Sequence, residues 1–488
     1  MQRADHSGND EVSMYSELGL YIDGKWLGGE GRKGEDVINP ATGKTLARLP
    51  HASKADLDAA LAAAEKGFAQ WKATSAYDRS KIMRKAADLL RERHDHVSKV
   101  QTQEQGKPYP ESRAEVLTSA DIIDWYAEEG RRAYGRIIPG RQQGVRQLVL
   151  QEPIGVVAAF TPWNFPTLTP VRKIAGALAA GCSIIIKASE ETPGGCVELV
   201  RCFADAGVPA GVVNLVFGVP AEVSEHLIPQ KAVKKISFTG SVPVGKHLAG
   251  LAAKGMKRAT MELGGHSPVV VFDDADADKA ADTIAGFKYR NAGQVCISPT
   301  RFYVHEKHYS KFVARFTEYA KGLTLGDGLE KSTKMGPLAN ARRLDAMESF
   351  VNDAKERGGK VVTGGARHGN QGFFYEPTVI TDVPDDSKIM TEEPFGPVAP
   401  IVPFKSFDEV VERANSLEFG LAAYAFTSSD KNAAAIGDAI QSGMVGVNSV
   451  AISTPETPFG GVKESGYGSE GGVEGLHAYM NTKFISQG

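Results

Sequence analysis

From Leu148 to Gly265 the chain alternates between short apolar runs of strand length and longer helical stretches. The runs are Val156–Phe160, Ser183–Lys187, Val212–Gly218, Lys235–Thr239 and Ala259–Leu263. Helical spacing fills the intervals, over Val171–Ala180, around Cys196–Ala206, near Ala221–Leu227 and over Val244–Ala253. Continuous apolar strands separated by helices predict a parallel sheet covered on both faces. Right-handed crossovers then bring the loops Thr161–Pro166, Ala188–Pro193 and Gly240–Gly245 to one sheet edge, where such sheets bind ligands.

Upstream, YIDGKW and INPATGK predict short strands broken by turn residues. A long amphipathic helix follows, with Ser53 as N-cap, Asp56 in the first turn, and Leu57, Leu61, Ala64, Phe68 and Trp71 on one stripe. Lys81–Val100 and Glu111–Gly130 predict two more helices of that layer. A second α/β series starts at Pro268 with PVVVF, a helix over Ala277–Tyr289 and a strand over Phe302–His305. The tail Gly475–Ser486 reads as extended and suited to a sheet edge, including one on another subunit.

At 488 residues the chain exceeds what one core supports, so two or three domains are expected. A net charge of −3, with no basic block or acidic tail, argues against a nucleic-acid partner. No apolar run approaches a membrane span, so no membrane partner is expected. The polar opening, residues 1–19, lacks the apolar core of a secretory signal and reads as a partly disordered lead-in. Four cysteines without a CxxC pair fit neither a disulfide scaffold nor a zinc knuckle. A reducing cytoplasm and no metal are the expectation.

Candidate chemistry concentrates in a few loops. Cys296 lies in NAGQVC, between a helix and a strand, where free backbone N–H groups could stabilise a thiolate and a developing oxyanion. Cys182, Cys196 and Cys202 fall within the helix–strand alternation and read as packing. Glu262, at a strand end before Gly264 and Gly265, is placed as a general base, and partial burial would raise its pKa. Gly240 and Ser241, between a strand and a helix start, aim N–H groups at a phosphate, although the G-x-G-x-x-G fingerprint is absent. Lys187 and Glu190 supply a cation and an acid that could hold ribose hydroxyls. Arg172 and Arg290 could be surface ion pairs or a hold on a substrate carboxylate.

Together FTPWNFP (Phe160–Pro166), KASE (Lys187–Glu190), FTGS (Phe238–Ser241), MELGG (Met261–Gly265), GQVC (Gly293–Cys296) and EEPFGPV (Glu392–Val398) resemble the aldehyde dehydrogenase superfamily in order and spacing. The resemblance runs from about Leu20 to the C-terminus. It implies an α/β fold with a Rossmann-like parallel-sheet cofactor domain over 20–129 and 152–265, and an α/β catalytic domain over 266–471. A β oligomerisation arm would combine 130–151 with 472–488 and drive homodimers or homotetramers. By the same resemblance Cys296 attacks the aldehyde, and Asn164 with the Cys296 N–H forms the oxyanion hole. Glu262 activates the deacylating water, and Glu470 belongs to a proton relay. Thr161, Pro162, Trp163, Lys187, Glu190, Gly240, Ser241, Leu263, Glu393 and Phe395 would contact NAD. A covalent thiohemiacetal and thioester split a difficult oxidation into two steps.

Within the superfamily the chain looks closest to succinate-semialdehyde and 2-oxoglutarate-semialdehyde dehydrogenases. In that comparison Arg172, Arg290 and Ser453 grip a distal carboxylate. Ser298 stands where some relatives carry a second, redox-switching cysteine. Glu190 would repel a 2′-phosphate, which favours NAD over NADP while leaving NADP possible. An aromatic or neutral aliphatic aldehyde is the alternative substrate class. A CoA-acylating enzyme, a thiol hydrolase and a non-catalytic protein on this scaffold are the other readings; Cys296 and Glu262 together argue against the last.

Overall fold

The computed structural model describes residues 15–488. Its first sheet runs in the order Lys25–Leu27, Leu20–Ile22, Val213–Val216, Ser183–Lys187, Val156–Phe160, Val233–Thr239, Arg258–Glu262 and Gly466–Tyr467. The five middle strands are mutually parallel, and an antiparallel strand closes each side. Val156–Phe160 comes first among the parallel five, and the chain builds outward from it in both directions. The reversal opens a crevice at the carboxyl ends of Val156–Phe160 and Val233–Thr239. Register sets Phe160 beside both Lys187 and Phe238, and Thr239 beside Glu262, so the loops that follow leave the sheet side by side.

The inner strands are buried because helices cover both faces. Val156–Phe160 and Ser183–Lys187 are buried at every position. Trp71, fully buried on the helix Lys54–Ala73, donates its indole N–H to Leu178 O at 2.8 Å. The expected cap is present: Ser53 accepts from the Asp56 N–H while Asp56 accepts from the Ser53 N–H.

A second sheet carries the other half, in the order Lys360–Thr363, Thr378–Thr381, Val398–Phe404, Pro299–His305, Ser267–Val271, Ala422–Phe426 and Met444–Val447. A third joins Arg136–Pro139, Arg146–Pro153 and Met480–Gln487. On this third sheet Ile137 is 80% exposed and Phe484 58% exposed. Among the described residues no helix is long and apolar enough to cross a membrane.

Three expectations change. The single helix over Lys81–Val100 is two, Ala76–Glu92 and His94–Gln105, meeting at Arg93. The bend turns Val97, Val100 and Gln101 into the core, and the Arg93 guanidinium closes on Asp205 at 2.7 Å. Residues 1–14 of the lead-in lie outside the described residues, but 15–19 are not a loose polar tail. Tyr15, Ser16 and Leu18 are buried, and the Tyr15 hydroxyl donates to Glu104 Oε2 at 2.6 Å. Gly466–Tyr467, expected with the second half, pairs instead with Met261 and Glu262, because the edge of the first sheet offers unpaired backbone groups there.

Candidate active site

The helix Ala277–Tyr289 ends in a turn that swings Cys296 toward the crevice. Asn291 and Ala292 take left-handed φ values of 49° and 51°, followed by Gly293 at 75°. Two such non-glycine residues in a row store on the order of 1–3 kcal/mol each, so the surroundings must hold them. The Asn291 N–H donates to Glu111 Oε2 at 2.8 Å, and its amide donates to Asn164 O at 3.1 Å and Gln294 O at 3.2 Å. Asn164 in turn donates its own amide to Gln294 O at 3.1 Å. The two loops that carry Asn164 and Cys296 are thus tied to each other.

Cys296 alone among the four cysteines is partly exposed; the other three are buried. Burial pushes its thiol up to about 12, with the carboxylates of Glu393 and Glu262 adding to the rise and the Ile297 N–H opposing it. Forming a thiolate here would call for a base nearby. Glu262, at the end of Arg258–Glu262, is 2% exposed, and neither carboxyl oxygen has a hydrogen-bond partner. Burial raises its pKa well above the carboxylate range, and the Glu470 charge raises it further. Such a carboxyl holds a proton more readily than an exposed one, as a candidate acid–base group does.

One cavity of about 890 Å³ gathers the expected residues: Asn164, Glu262, Cys296, Arg172, Arg290, Ser453 and Glu470 all line it. At its other end stand Pro162, Trp163, Gly240, Ser241, Leu263, Glu393 and Phe395. Phe395 meets Trp163 edge-on, with centroids 5.6 Å apart. Glu393 Oε1 accepts from the Gly265 N–H at 3.1 Å, and burial pushes its pKa up to about 7. Gly264 has room for no side chain, because the Glu393 carboxyl occupies that space.

Thr161, Lys187 and Glu190 do not line this cavity, although they sit on the adjoining strand ends. The Thr161 N–H donates to Lys187 O at 3.1 Å, and Lys187 pairs with Glu190. These positions fit a dinucleotide. The helix Val242–Lys254 starts at Ser241 with no side-chain cap, so the Val242 and Val244 N–H groups could meet a phosphate. Pro243 has none, and the Gly240 N–H, expected to face a phosphate, donates instead to Glu262 O at 3.0 Å. Beyond it, the Lys187–Glu190 pair offers both a donor and an acceptor for ribose hydroxyls.

Arg172 donates to Ser453 Oγ at 3.0 Å and lies over the Phe459 ring, 4.8 Å from its centroid. Arg290 lies between Phe165 and Phe287, 5.5 and 5.1 Å from their centroids. Arg172 Nε and Nη1 and Arg290 Nε are buried without hydrogen-bond partners.

Sequence reading missed the groups behind these. Lys173, fully buried, donates to Glu470 Oε1 at 2.5 Å and to Ser237 Oγ at 3.2 Å. Two adjacent cations in the otherwise apolar stretch VRKIAGALAAG were the available signal. Arg343, donating to the carbonyls of Pro394 and Phe395, holds the loop that carries Glu393, and no local pattern marks it.

Comparison with known proteins agrees with this geometry. A model of the aldehyde dehydrogenase family matches residues 26–485. The 4-(hydroxymethyl)benzenesulfonate dehydrogenase TsaD1 of Comamonas testosteroni is 46% identical over 466 residues, covering 96% of this chain and 97% of that protein. The NADP(+) succinate-semialdehyde dehydrogenase GabD of Escherichia coli (strain K12) is 41% identical over 479 residues, covering 98% and 99%. A crystal structure described as an E. coli NADP dependent enzyme superposes with a TM-score of 0.96 at 40% identity, covering 98% of this chain and 99% of that one. With a family match across nearly its whole length and a cavity that brings a cysteine, a carboxyl and an amide together, the chain belongs to the aldehyde dehydrogenase family.

Proposed function

We propose that this enzyme oxidises an aldehyde bearing a distal anion, foremost a carboxylate-bearing semialdehyde such as succinate or 2-oxoglutarate semialdehyde, with NAD preferred over NADP. The observation that carries the reading is the pair Arg172 and Arg290, which line the cavity of Cys296 and leave Arg172 Nε and Nη1 and Arg290 Nε buried without a hydrogen-bond partner. A buried N–H donor without an acceptor is costly, and a bound carboxylate would supply the acceptor.

In this reading Glu262 takes the Cys296 proton and the thiolate adds to the carbonyl carbon. The oxyanion receives hydrogen bonds from the Asn164 amide and the Cys296 N–H. NAD would be held by Trp163, Ser241, Lys187, Glu190, Glu393 and Phe395, and would supply the hydride acceptor. Loss of hydride from the thiohemiacetal leaves a thioester on Cys296. Once the Cys296 proton has left Glu262, the freed carboxylate draws a proton from water, the hydroxide adds to the thioester, and the acid leaves with return of the thiolate. Glu470, joined to Lys173 and Ser237, offers the proton a route away from Glu262. The exposed apolar side chains of the third sheet support a homo-oligomer, and four free thiols support a reducing cytoplasm.

A second reading, an aryl aldehyde, is favoured by the two phenylalanine rings beside Arg290 and by the benzenesulfonate named for TsaD1. NADH formation with succinic semialdehyde, 4-sulfobenzaldehyde and benzaldehyde separates the two. Arg290→Met should raise KM for the two anions by about 10-fold or more, the value of a lost charge-assisted contact, and leave benzaldehyde within about 2-fold. An equal effect on all three would remove the anion clamp. The cofactor preference is tested by Glu190→Gln, which should bring kcat/KM with NADP closer to that with NAD.

A further inference from the structure

Beneath the Asn164 loop, along the same cavity, lies a group of charged residues to which the proposed chemistry assigns no step; Lys107 and Glu115 are buried and Glu111 is partly so. It is built on the start of the helix Tyr109–Glu129 and on Lys107 just before it. The Lys107 ammonium donates to Asn164 O and to Glu115 Oε2, both at 2.7 Å, and lies 4.0 Å from the centroid of the Phe165 ring. Glu115 Oε1 accepts from the Thr167 N–H at 3.0 Å and the Leu168 N–H at 3.1 Å. One helical turn earlier, Glu111 holds the Asn291 N–H in the strained turn before Cys296.

We propose that Lys107, Glu111 and Glu115 form a positioning clamp that aligns the Asn164 amide with the Cys296 loop, and so sets the geometry of the oxyanion hole. The inference rests on the proposed role of Asn164. Lys107 and Glu115 grip the carbonyl of residue 164 and the N–H groups of 167 and 168, which leaves the intervening turn little freedom. Glu111 and the Asn291 amide grip the facing loop, and Asn164 O receives from both Lys107 and Asn291. A shift of either loop would displace the donors from the oxyanion, and displacements near 1 Å are enough to cost about 10²-fold in rate.

Four charges face one another here: Lys107 and Arg290 against Glu111 and Glu115, with Glu104 on the neighbouring helix. Burial pulls the Lys107 pKa down and Glu115 opposes that shift. An ion pair placed this deep is weak evidence of stabilisation by itself. Its contacts with three backbone groups of a reacting loop are what give it a use.

The test is a double-mutant cycle on the full-length enzyme with Lys107→Met and Asn164→Ala, reading the NADH burst and the binding of NADH by fluorescence. Lys107→Met should slow the burst about 10²-fold, keep NADH affinity within about 2-fold, and be partly rescued by Lys107→Arg. In the Asn164→Ala background the same substitution should cost less than about 3-fold, because there is no amide left to align. A full 10²-fold loss in that background would overturn the clamp while leaving Asn164 in its role. A burst unaffected by Asn164→Ala alone would overturn the role of Asn164 and the clamp with it. If Lys107→Met unfolds, Glu111→Gln, which keeps the side-chain volume, is carried through the same cycle with the same criteria.

Discussion

Two buried carboxylates on opposite sides of Asn164 are treated in opposite ways. Glu115 has every oxygen occupied: Lys107 and Gln101 on one, the Thr167 and Leu168 N–H groups on the other. Glu262 is as deeply buried, yet neither of its oxygens has a partner. A satisfied buried charge orders its surroundings; an unsatisfied one raises its free energy and is ready to bind a proton. In the proposed scheme the contrast separates groups that hold the site from groups that react in it.

The largest test of that contrast concerns the thiols. Cys296→Ala should remove turnover by about 10⁴-fold or more, as loss of a nucleophile does. Cys202→Ala, in the core, should leave kcat/KM within about 2-fold and lower stability by about 1–2 kcal/mol. Steady-state kinetics and chemical denaturation check both. Next come the carboxylates themselves. Glu262→Gln should lower kcat by about 10²- to 10⁴-fold without loss of stability, whereas Glu115→Ala, which leaves Lys107 buried and unpaired, should lower stability by about 3–5 kcal/mol. Should Glu262→Gln prove the less stable of the two, the contrast would be wrong.

The sign of the pH effect sharpens it. The folded-state pKa of Glu262 is raised, so its favourable contribution is complete below the ordinary carboxylate range and fades as pH rises through the folded value. Glu262→Gln should therefore gain stability relative to wild type as pH rises, read from melting temperatures across pH 5 to 9. Activity should move the other way, because in the proposed role Glu262 acts deprotonated, so wild-type turnover should rise over the same range. A smaller effect is expected at the edge of this region. Tyr15→Phe removes the hydroxyl from Glu104 and should cost about 1–2 kcal/mol with turnover unchanged.

Local signals carried much of the architecture. The strand Ser183–Lys187 and the helix Ala277–Tyr289 are found at the residues their apolar periodicity predicts, because both are bounded by turn or capping residues. The break at Arg93 was hidden, since RERHDHV contains neither glycine nor proline and the bend is set by what the second helix packs on. In the site, Cys296, Glu262 and Asn164 stood out through motifs and their spacing. Lys107 and Glu115 did not, because a lysine and a glutamate eight residues apart look like any solvated pair until a third segment folds over them. Long-range partnership, not residue type, makes them part of the site.

The last residues of the chain have a consequence for how the molecule is made. Glu470 must return to Lys173, and Met480–Gln487 pairs with Arg146–Pro153 across some 330 positions. Contacts of such sequence separation form late and set the pace of folding. As the chain is synthesised, both strand-and-helix halves are complete before the closing segment emerges. Cys296 thus exists for a time without Glu470 and the pairing of Met480–Gln487, and its cavity is completed only after that segment has emerged.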